Sequence, residues 1–121
     1  MNEMREVRPT QKLWRSDRDL KTVSLNIPED WVMFHEGLRG RPVLSVKLTI
    51  DDGKMICEPL FSDATDPMIL SAAVTKVGKN YHKFAIPRKA VRYFEEKRGK
   101  KMRHVKIRTN KIDNSLICEP I

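Results

Sequence analysis

The sequence predicts a mostly β protein with short helices, built from two tandem β-α-β-β repeats. The main evidence is that one segment recurs 59 positions later, and that the tetrapeptide at 56–59 returns at 117–120. Apolar and polar residues also alternate beside each copy, as in half-buried strands. A unit of about 40 residues buries too little apolar surface alone, so we expect the copies to share one core. The identities at the spacing of 59 are Ile27/Ile86, Pro28/Pro87, Val32/Val91, Glu36/Glu95, Arg39/Arg98, Gly40/Gly99, Val46/Val105 and Lys47/Lys106.

The first repeat opens with an alternating stretch at 21–27, which predicts a strand. Proline at 28 ends that strand and starts a helix that reaches about residue 38, with Gly40 as its stop. Alternation resumes over 43–50, and an Asp-Asp-Gly turn leads into a returning strand at 55–57.

The second repeat follows the same order. It predicts a strand over 81–86, a helix over 87–97, a strand over 102–109 and, after a longer turn, a strand over 116–118. The helix has a core stripe of Ala90, Val91 and Phe94 at helical spacing.

The chain divides into four parts on this basis. Residues 1–18 form a basic N-terminal arm, 19–60 the first repeat, 61–75 a linker or crossover, and 76–121 the basic second repeat. The two repeats are expected to form one compact unit.

The net charge of +8 comes entirely from the second half of the chain. Residues 1–61 hold ten basic and ten acidic residues, whereas 62–121 hold fourteen basic and six acidic ones. Such a block beside a neutral partner predicts a face that meets a polyanion.

The repeats resemble a known family through short motifs that cover about two-thirds of the chain. The matching residues are Lys83-Phe84-Ala85-Ile86-Pro87, Arg98-Gly99 and Val105-Lys106-Ile107, and more weakly Ser24 to Ile27, Pro28, Gly40 and Val46-Lys47-Leu48. This pattern resembles the AbrB/SpoVT swapped-hairpin family, in the tandem-repeat arrangement of its MraZ-like members. The resemblance implies a pseudo-two-fold swapped-hairpin barrel, closed by a single chain, and binding to DNA.

The family's basic residue four positions before the proline is Lys83 in this chain, and Ser24 stands at the corresponding place in the first copy. Other cations flank these strands and begin the second helix, and as a cluster they favour phosphate contact. The predicted DNA-binding residues are Arg15, Arg18, Lys21, Lys76, Lys79, Lys83, Arg88, Lys89 and Arg92.

Other chemistry has little support in the sequence. The three histidines accompany no nucleophile motif, and no glycine-rich phosphate loop occurs, so we expect no enzyme activity and no cofactor. Cys57 and Cys118 are too few for a zinc site, and the sequence leaves open whether they are buried thiols or a bridge. No apolar run approaches the roughly 20 residues of a membrane helix, and no signal peptide is evident, so a cytoplasmic protein is expected.

The sequence therefore predicts a prokaryotic transcriptional regulator that binds double-stranded DNA through the second repeat and the N-terminal arm. The alternative is a protein-interaction module, an antitoxin-like or scaffold subunit. It would bind a protein partner or a second copy through the neutral first repeat, using Trp31, Met33 and Phe34. The sequence leaves open the DNA target, activation versus repression, the oligomeric state, and whether the first repeat contacts DNA.

Overall fold

A computed structural model describes residues 10–12, 14–15, 23–62, 68–78 and 81–121. These residues form ten strands and two helices, which confirms the mostly β class. The elements are β1 (Thr10–Lys12), β2 (Trp14–Arg15), β3 (Val23–Ile27), α1 (Glu29–Arg39), β4 (Ser45–Asp51), β5 (Lys54–Leu60), β6 (Ser71–Ala73), β7 (Thr75–Val77), β8 (Tyr81–Ile86), α2 (Arg88–Arg98), β9 (His104–Thr109) and β10 (Leu116–Pro120).

The strands form two open sheets, and both contain strands from both repeats. The larger sheet has the order β1-β9-β10-β5-β4-β6, and the smaller one has the order β2-β3-β8-β7. Each strand has its repeat equivalent at the mirrored place in the order: β1 matches β6, β9 matches β4 and β10 matches β5 in the larger sheet, and β2 matches β7 and β3 matches β8 in the smaller one. The sheets are therefore pseudo-two-fold symmetric in strand order.

The register of the central strands has the same symmetry. In the smaller sheet, Leu25 of β3 lies opposite Phe84 of β8, and these residues are repeat equivalents, 59 positions apart. In the larger sheet, Ile56 of β5 lies opposite Ile117 of β10, the equivalent pair after the two-residue insertion. The two copies thus meet along equivalent strands in both sheets and share one core.

Short strands precede each β-α-β-β unit and join it to the other copy. The strand β6 pairs with β4 of the first repeat, and β1 pairs with β9 of the second repeat. The strands β2 and β7 then pair with the first long strand of their own copy, β3 and β8. In the predicted division of the chain, β1 and β2 fall in the N-terminal arm, β6 falls in the crossover, and β7 spans the border between the crossover and the second repeat.

The repeated proline, glutamate and glycine have the same backbone roles in both copies. Pro28 and Pro87 precede the helices, and their carbonyls accept hydrogen bonds from the first helical turn. Gly40 ends α1 with a φ of 65°, and Gly99 ends α2 with a φ of 71°, in the left-handed region that favours glycine.

The repeated glutamates fix the chain that leaves each helix. The Glu36 carboxylate accepts a hydrogen bond from the Val43 backbone N–H at 2.8 Å, and Glu95 accepts one from Met102 N–H at 2.7 Å. Each bond orients the segment that enters the next strand. These contacts explain why both copies keep glutamate at this place.

Alternation along the strands separates core from surface as the sequence predicted. In β8, His82, Phe84 and Ile86 are buried, whereas Tyr81 and Lys83 are exposed. The predicted core stripe of α2 is buried as well. The Asp-Asp-Gly turn has positive φ at its two central residues, as expected of a type I′ hairpin.

The first helix is tied to the hairpin turn of the second copy. Trp31 Nε1 and His35 Nε2 both donate to the backbone oxygen of Asn114, each at 2.8 Å. Trp31 is entirely buried, so its predicted place on a partner-facing surface was wrong. Its indole is used within the fold, because a buried N–H needs an acceptor.

Candidate nucleic-acid interface

Five of the predicted DNA-binding residues have described side chains, and all five are exposed: Lys76, Lys83, Arg88, Lys89 and Arg92. Arg15 lies in β2, where it pairs with Val23 just as Lys76 of β7 pairs with the equivalent His82. The remaining predicted residues, Arg18, Lys21 and Lys79, lie outside the described residues.

Three of these cations lie together on α2. Arg88, Lys89 and Arg92 line a shallow, solvent-open depression with Tyr93 and Glu96. Residues three or four apart are neighbours on a helix surface, so the helix itself sets this grouping. We call Arg88, Lys89 and Arg92 the α2 cluster.

The α2 cluster occupies an electrostatically unfavourable place in its own helix. The first turn of α2 contains no acidic residue, and Arg88 and Lys89 are its first two residues. A helix N-terminus has a partial positive charge, so each cation there costs about 0.3–1 kcal/mol. The same free N–H groups and positive potential attract an anion such as phosphate.

The strand cations Lys76 and Lys83 project from opposite faces of the smaller sheet. Lys83 lies opposite Thr75 and Asn26, on the outward face. Lys76 instead lies opposite His82, whose side chain faces the core. Directly paired residues share a face of the sheet, so the structure does not bring these two lysines into one patch.

The basic residues of β9 are partly balanced by their neighbours. His104, Lys106 and Arg108 are exposed. However, Lys106 lies opposite Glu119, and the equivalent Lys47 lies opposite Glu58. An opposite-charge pair across strands reduces what either lysine offers to a polyanion. The α2 cluster is therefore the stronger candidate site.

The equivalent surface of α1 has the opposite character. Its first turn contains Glu29 and Asp30, where α2 has Arg88 and Lys89. Met33 stands at the position of Arg92 and is 62% exposed. One helix surface is acidic and apolar, and its repeat equivalent is basic.

One contact between the copies is not indicated by any local sequence pattern. Glu29 Oε2 lies 2.9 Å from His82 Nδ1, so the start of α1 is bound to β8 of the second copy. The equivalent positions hold Arg88 and Val23, which cannot make this bond. A position-by-position comparison of the copies shows that Glu29 and His82 both differ in chemical character from their repeat equivalents, and this joint difference is the signal that indicates a contact between them.

The buried titratable groups are engaged in the fold. Desolvation lowers the pKa of His35, which favours the neutral ring that bonds to Asn114. A hydrogen bond between the Cys57 and Cys118 thiols, together with burial, raises the pKa of Cys57, and both cysteines are free thiols. A thiol with a raised pKa is a poor nucleophile at neutral pH.

Among the described residues, no group of three or more histidine, cysteine or acidic side chains is arranged to hold a metal ion. Neither of the two described helices has the length and apolar character needed to cross a bilayer. Comparisons with protein families, with curated proteins and with solved structures gave no match to this chain.

Proposed function

We propose that this protein binds double-stranded DNA as a transcriptional regulator of the prokaryotic kind, and that it holds the phosphate backbone with the α2 cluster. The observation that carries the proposal is the placement of three exposed cations around the N-terminal end of α2. The helix dipole opposes Arg88 and Lys89 in the first turn, and the nearby Arg92 adds repulsion between like charges, so a bound anion would relieve an unfavourable charge arrangement.

The chemistry of the α2 cluster suits a phosphate backbone. Arg88 and Arg92 can each present a planar guanidinium fork to phosphate oxygens, and Lys89 adds a point charge. The exposed Lys100 and Lys101 lie beyond the opposite, C-terminal end of α2 and do not belong to the α2 cluster. The Lys83 side chain, on the outward face of β8, is a further candidate contact. The proposal includes no catalytic step and no cofactor.

We further propose that the two sheets belong to a swapped-hairpin barrel of the AbrB/SpoVT type, formed by one chain. Support comes from the reversible strand order of both sheets and from the exchange of β1 and β6 between copies. In this arrangement α2 and β8 belong to one rigid unit, because Pro87 alone separates them.

A fluorescence-anisotropy titration with labelled duplex DNA, repeated over a salt series, tests the function. We expect binding whose logarithmic affinity falls linearly with the logarithm of salt concentration, by about 0.9 for each phosphate neutralised. Absence of binding at low salt, or tight binding that salt leaves unchanged, would contradict the proposal.

A second candidate function is a protein-interaction module that uses the surface of α1. It is favoured by the exposed apolar side chains of α1: Met33, one turn after the acidic Glu29, is 62% exposed, and Leu38 in the last turn is 63% exposed. In a pull-down, a specific protein that stays bound after nuclease treatment, but does not bind the variant Met33→Asp/Leu38→Asp, would favour this function. Retention that disappears with the nucleic acid would favour DNA binding.

A further inference from the structure

The two halves of this pseudo-dimer have kept the same backbone but not the same surface charge. Strand order and register are symmetric between the copies, so equivalent residues occupy equivalent places. Five exposed cations of the second copy nevertheless have neutral or acidic counterparts in the first, whereas Lys100 and Lys106 have the basic counterparts Arg41 and Lys47. The equivalent positions are Lys83 and Ser24, Arg88 and Glu29, Lys89 and Asp30, Arg92 and Met33, and Lys97 and Leu38.

Symmetric DNA-binding dimers read sites with matching symmetry. When two identical surfaces are related by a two-fold axis, each meets one half-site, and the DNA site is an inverted repeat. That outcome requires both surfaces to attract phosphate. Here one surface has the α2 cluster and the other has Glu29 and Asp30.

The first copy is unsuited to the same contact. The carboxylate of Glu29 is held by His82 of the second copy at 2.9 Å, so this negative charge has a fixed place at the start of α1. A phosphate there would meet carboxylates where the equivalent phosphate at α2 meets Arg88 and Lys89. Like charges at close range repel, and the helix N-terminus of α1 already has its anions.

We propose that the protein contacts DNA on one side only, through the second copy, and that its recognised site has no two-fold symmetry. The inference rests on the proposed DNA binding and adds the class of site. One chain contacts one stretch of duplex through α2 and β8, and the first copy stays clear of the phosphates. The pseudo-two-fold axis of the fold is thus not an axis of the complex.

The decisive experiment moves cations between the copies without changing composition. The variant Arg92→Met/Lys97→Leu/Met33→Arg/Leu38→Lys exchanges two pairs of equivalent residues and keeps the net charge of +8. All four positions are exposed, so the core is untouched, and circular dichroism with a thermal melt checks folding. Affinity for labelled duplex DNA is measured by anisotropy over a salt series.

We expect the exchanged variant to bind about tenfold more weakly at about 100 mM salt, with a salt slope shallower by about 1, because Arg92 is the one member of the α2 cluster that it removes. It should match Arg92→Met/Lys97→Leu, because the two cations added to α1 cannot compensate from the wrong side. If adding Met33→Arg/Leu38→Lys to Arg92→Met/Lys97→Leu restores the affinity to within about twofold of the wild type, the proposal of one-sided contact is overturned, whereas the proposal of DNA binding stands. If the wild type does not bind duplex DNA at low salt, the proposed function itself is refuted.

Selection of bound sequences from a random duplex pool gives an independent readout of site symmetry. We expect the enriched sites to share a motif without an inverted repeat, protected as a single block in a footprint. An enriched inverted repeat, with both halves protected alike, would overturn the inference.

Discussion

Reversing the charge of Arg88 and Lys89 should stabilise the protein and weaken its binding to DNA. These residues begin α2, where the helix dipole opposes cations, and copy one already carries Glu29 and Asp30 at the equivalent positions. The variant Arg88→Glu/Lys89→Glu replaces two unfavourable charges with two favourable ones. Each reversal is worth roughly 0.5–1 kcal/mol at an exposed helix terminus, so the free energy of unfolding should rise by about 1–2 kcal/mol.

Thermal melts and DNA titrations on the same preparation test both halves of this prediction. For a domain of this size, 1 kcal/mol corresponds to roughly 3–5 °C in Tm. Affinity for duplex DNA should fall by about a hundredfold near 100 mM salt, and the salt slope should decrease by about 2, because two phosphate contacts are lost.

A matched control separates the helix dipole from net charge. The variant Lys100→Glu/Lys101→Glu makes the same change of charge beyond the C-terminal end of α2, so it relieves the same overall repulsion but places anions where the helix dipole disfavours them. Its Tm should therefore rise less than that of Arg88→Glu/Lys89→Glu. If the Tm of Arg88→Glu/Lys89→Glu is lower than that of the Lys100→Glu/Lys101→Glu control, the dipole reasoning is refuted. If Arg88→Glu/Lys89→Glu binds DNA with the affinity of the wild type, the role of the α2 cluster is refuted.

Three further predictions concern the shared core. Glu36→Ala and Glu95→Ala should each lower the free energy of unfolding by about 1.5–3 kcal/mol, because each leaves a backbone N–H unpaired; strongly unequal losses in denaturant melts would argue against equivalent roles. Burial lowers the pKa of His35, so protons bind the unfolded chain more tightly, and stability should fall as pH drops through about 6.5; His35→Phe should flatten this part of a Tm-against-pH profile, and an unchanged profile would exclude His35 as its source. The Cys57 and Cys118 thiols should react with a thiol reagent only at the rate of unfolding, and rapid labelling of the native protein would contradict their burial.

The repeated segments were predictable because their signals are local. Proline before each helix and glycine after it set the helix ends, and period-two alternation marked β3, β4, β8 and β9. The structure confirms these elements, and each helix begins one residue later than the sequence indicated.

The short strands were not predictable in the same way. Strands of two or three residues have too few positions to show alternation, and β1 pairs with β9 about 95 positions away. Their stability comes from tertiary pairing, so composition marked them only as an arm and a crossover. This is why the sequence indicated Lys76 only as a cation that flanks a strand, although it lies within β7.

The candidate site was only partly predictable because clustering depends on register. A helix groups its own residues by a fixed period, so Arg88, Lys89 and Arg92 could be placed together from sequence alone. Whether the side chains of Lys76 and Lys83 lie on the same face of the sheet depends on which residue of β8 lies opposite Lys76. The pairing of Lys76 with His82 separates them, and no local pattern indicates that pairing.

The duplication explains how one helix can carry unfavourable charges without loss of the fold. The residues common to both copies mainly bind backbone or fill the core, as Glu36, Glu95 and the two terminal glycines do. The residues that differ are mostly outward, where a single substitution usually changes stability by no more than about 0.5 kcal/mol. A symmetric homodimer would place any cation at the start of both helices and incur its cost twice. A single chain with two copies incurs it once, at α2, while α1 keeps the favourable Glu29 and Asp30. Substitutions that stabilise α2 at its first turn should therefore weaken DNA binding, whereas stabilising substitutions on α1 should leave it unchanged.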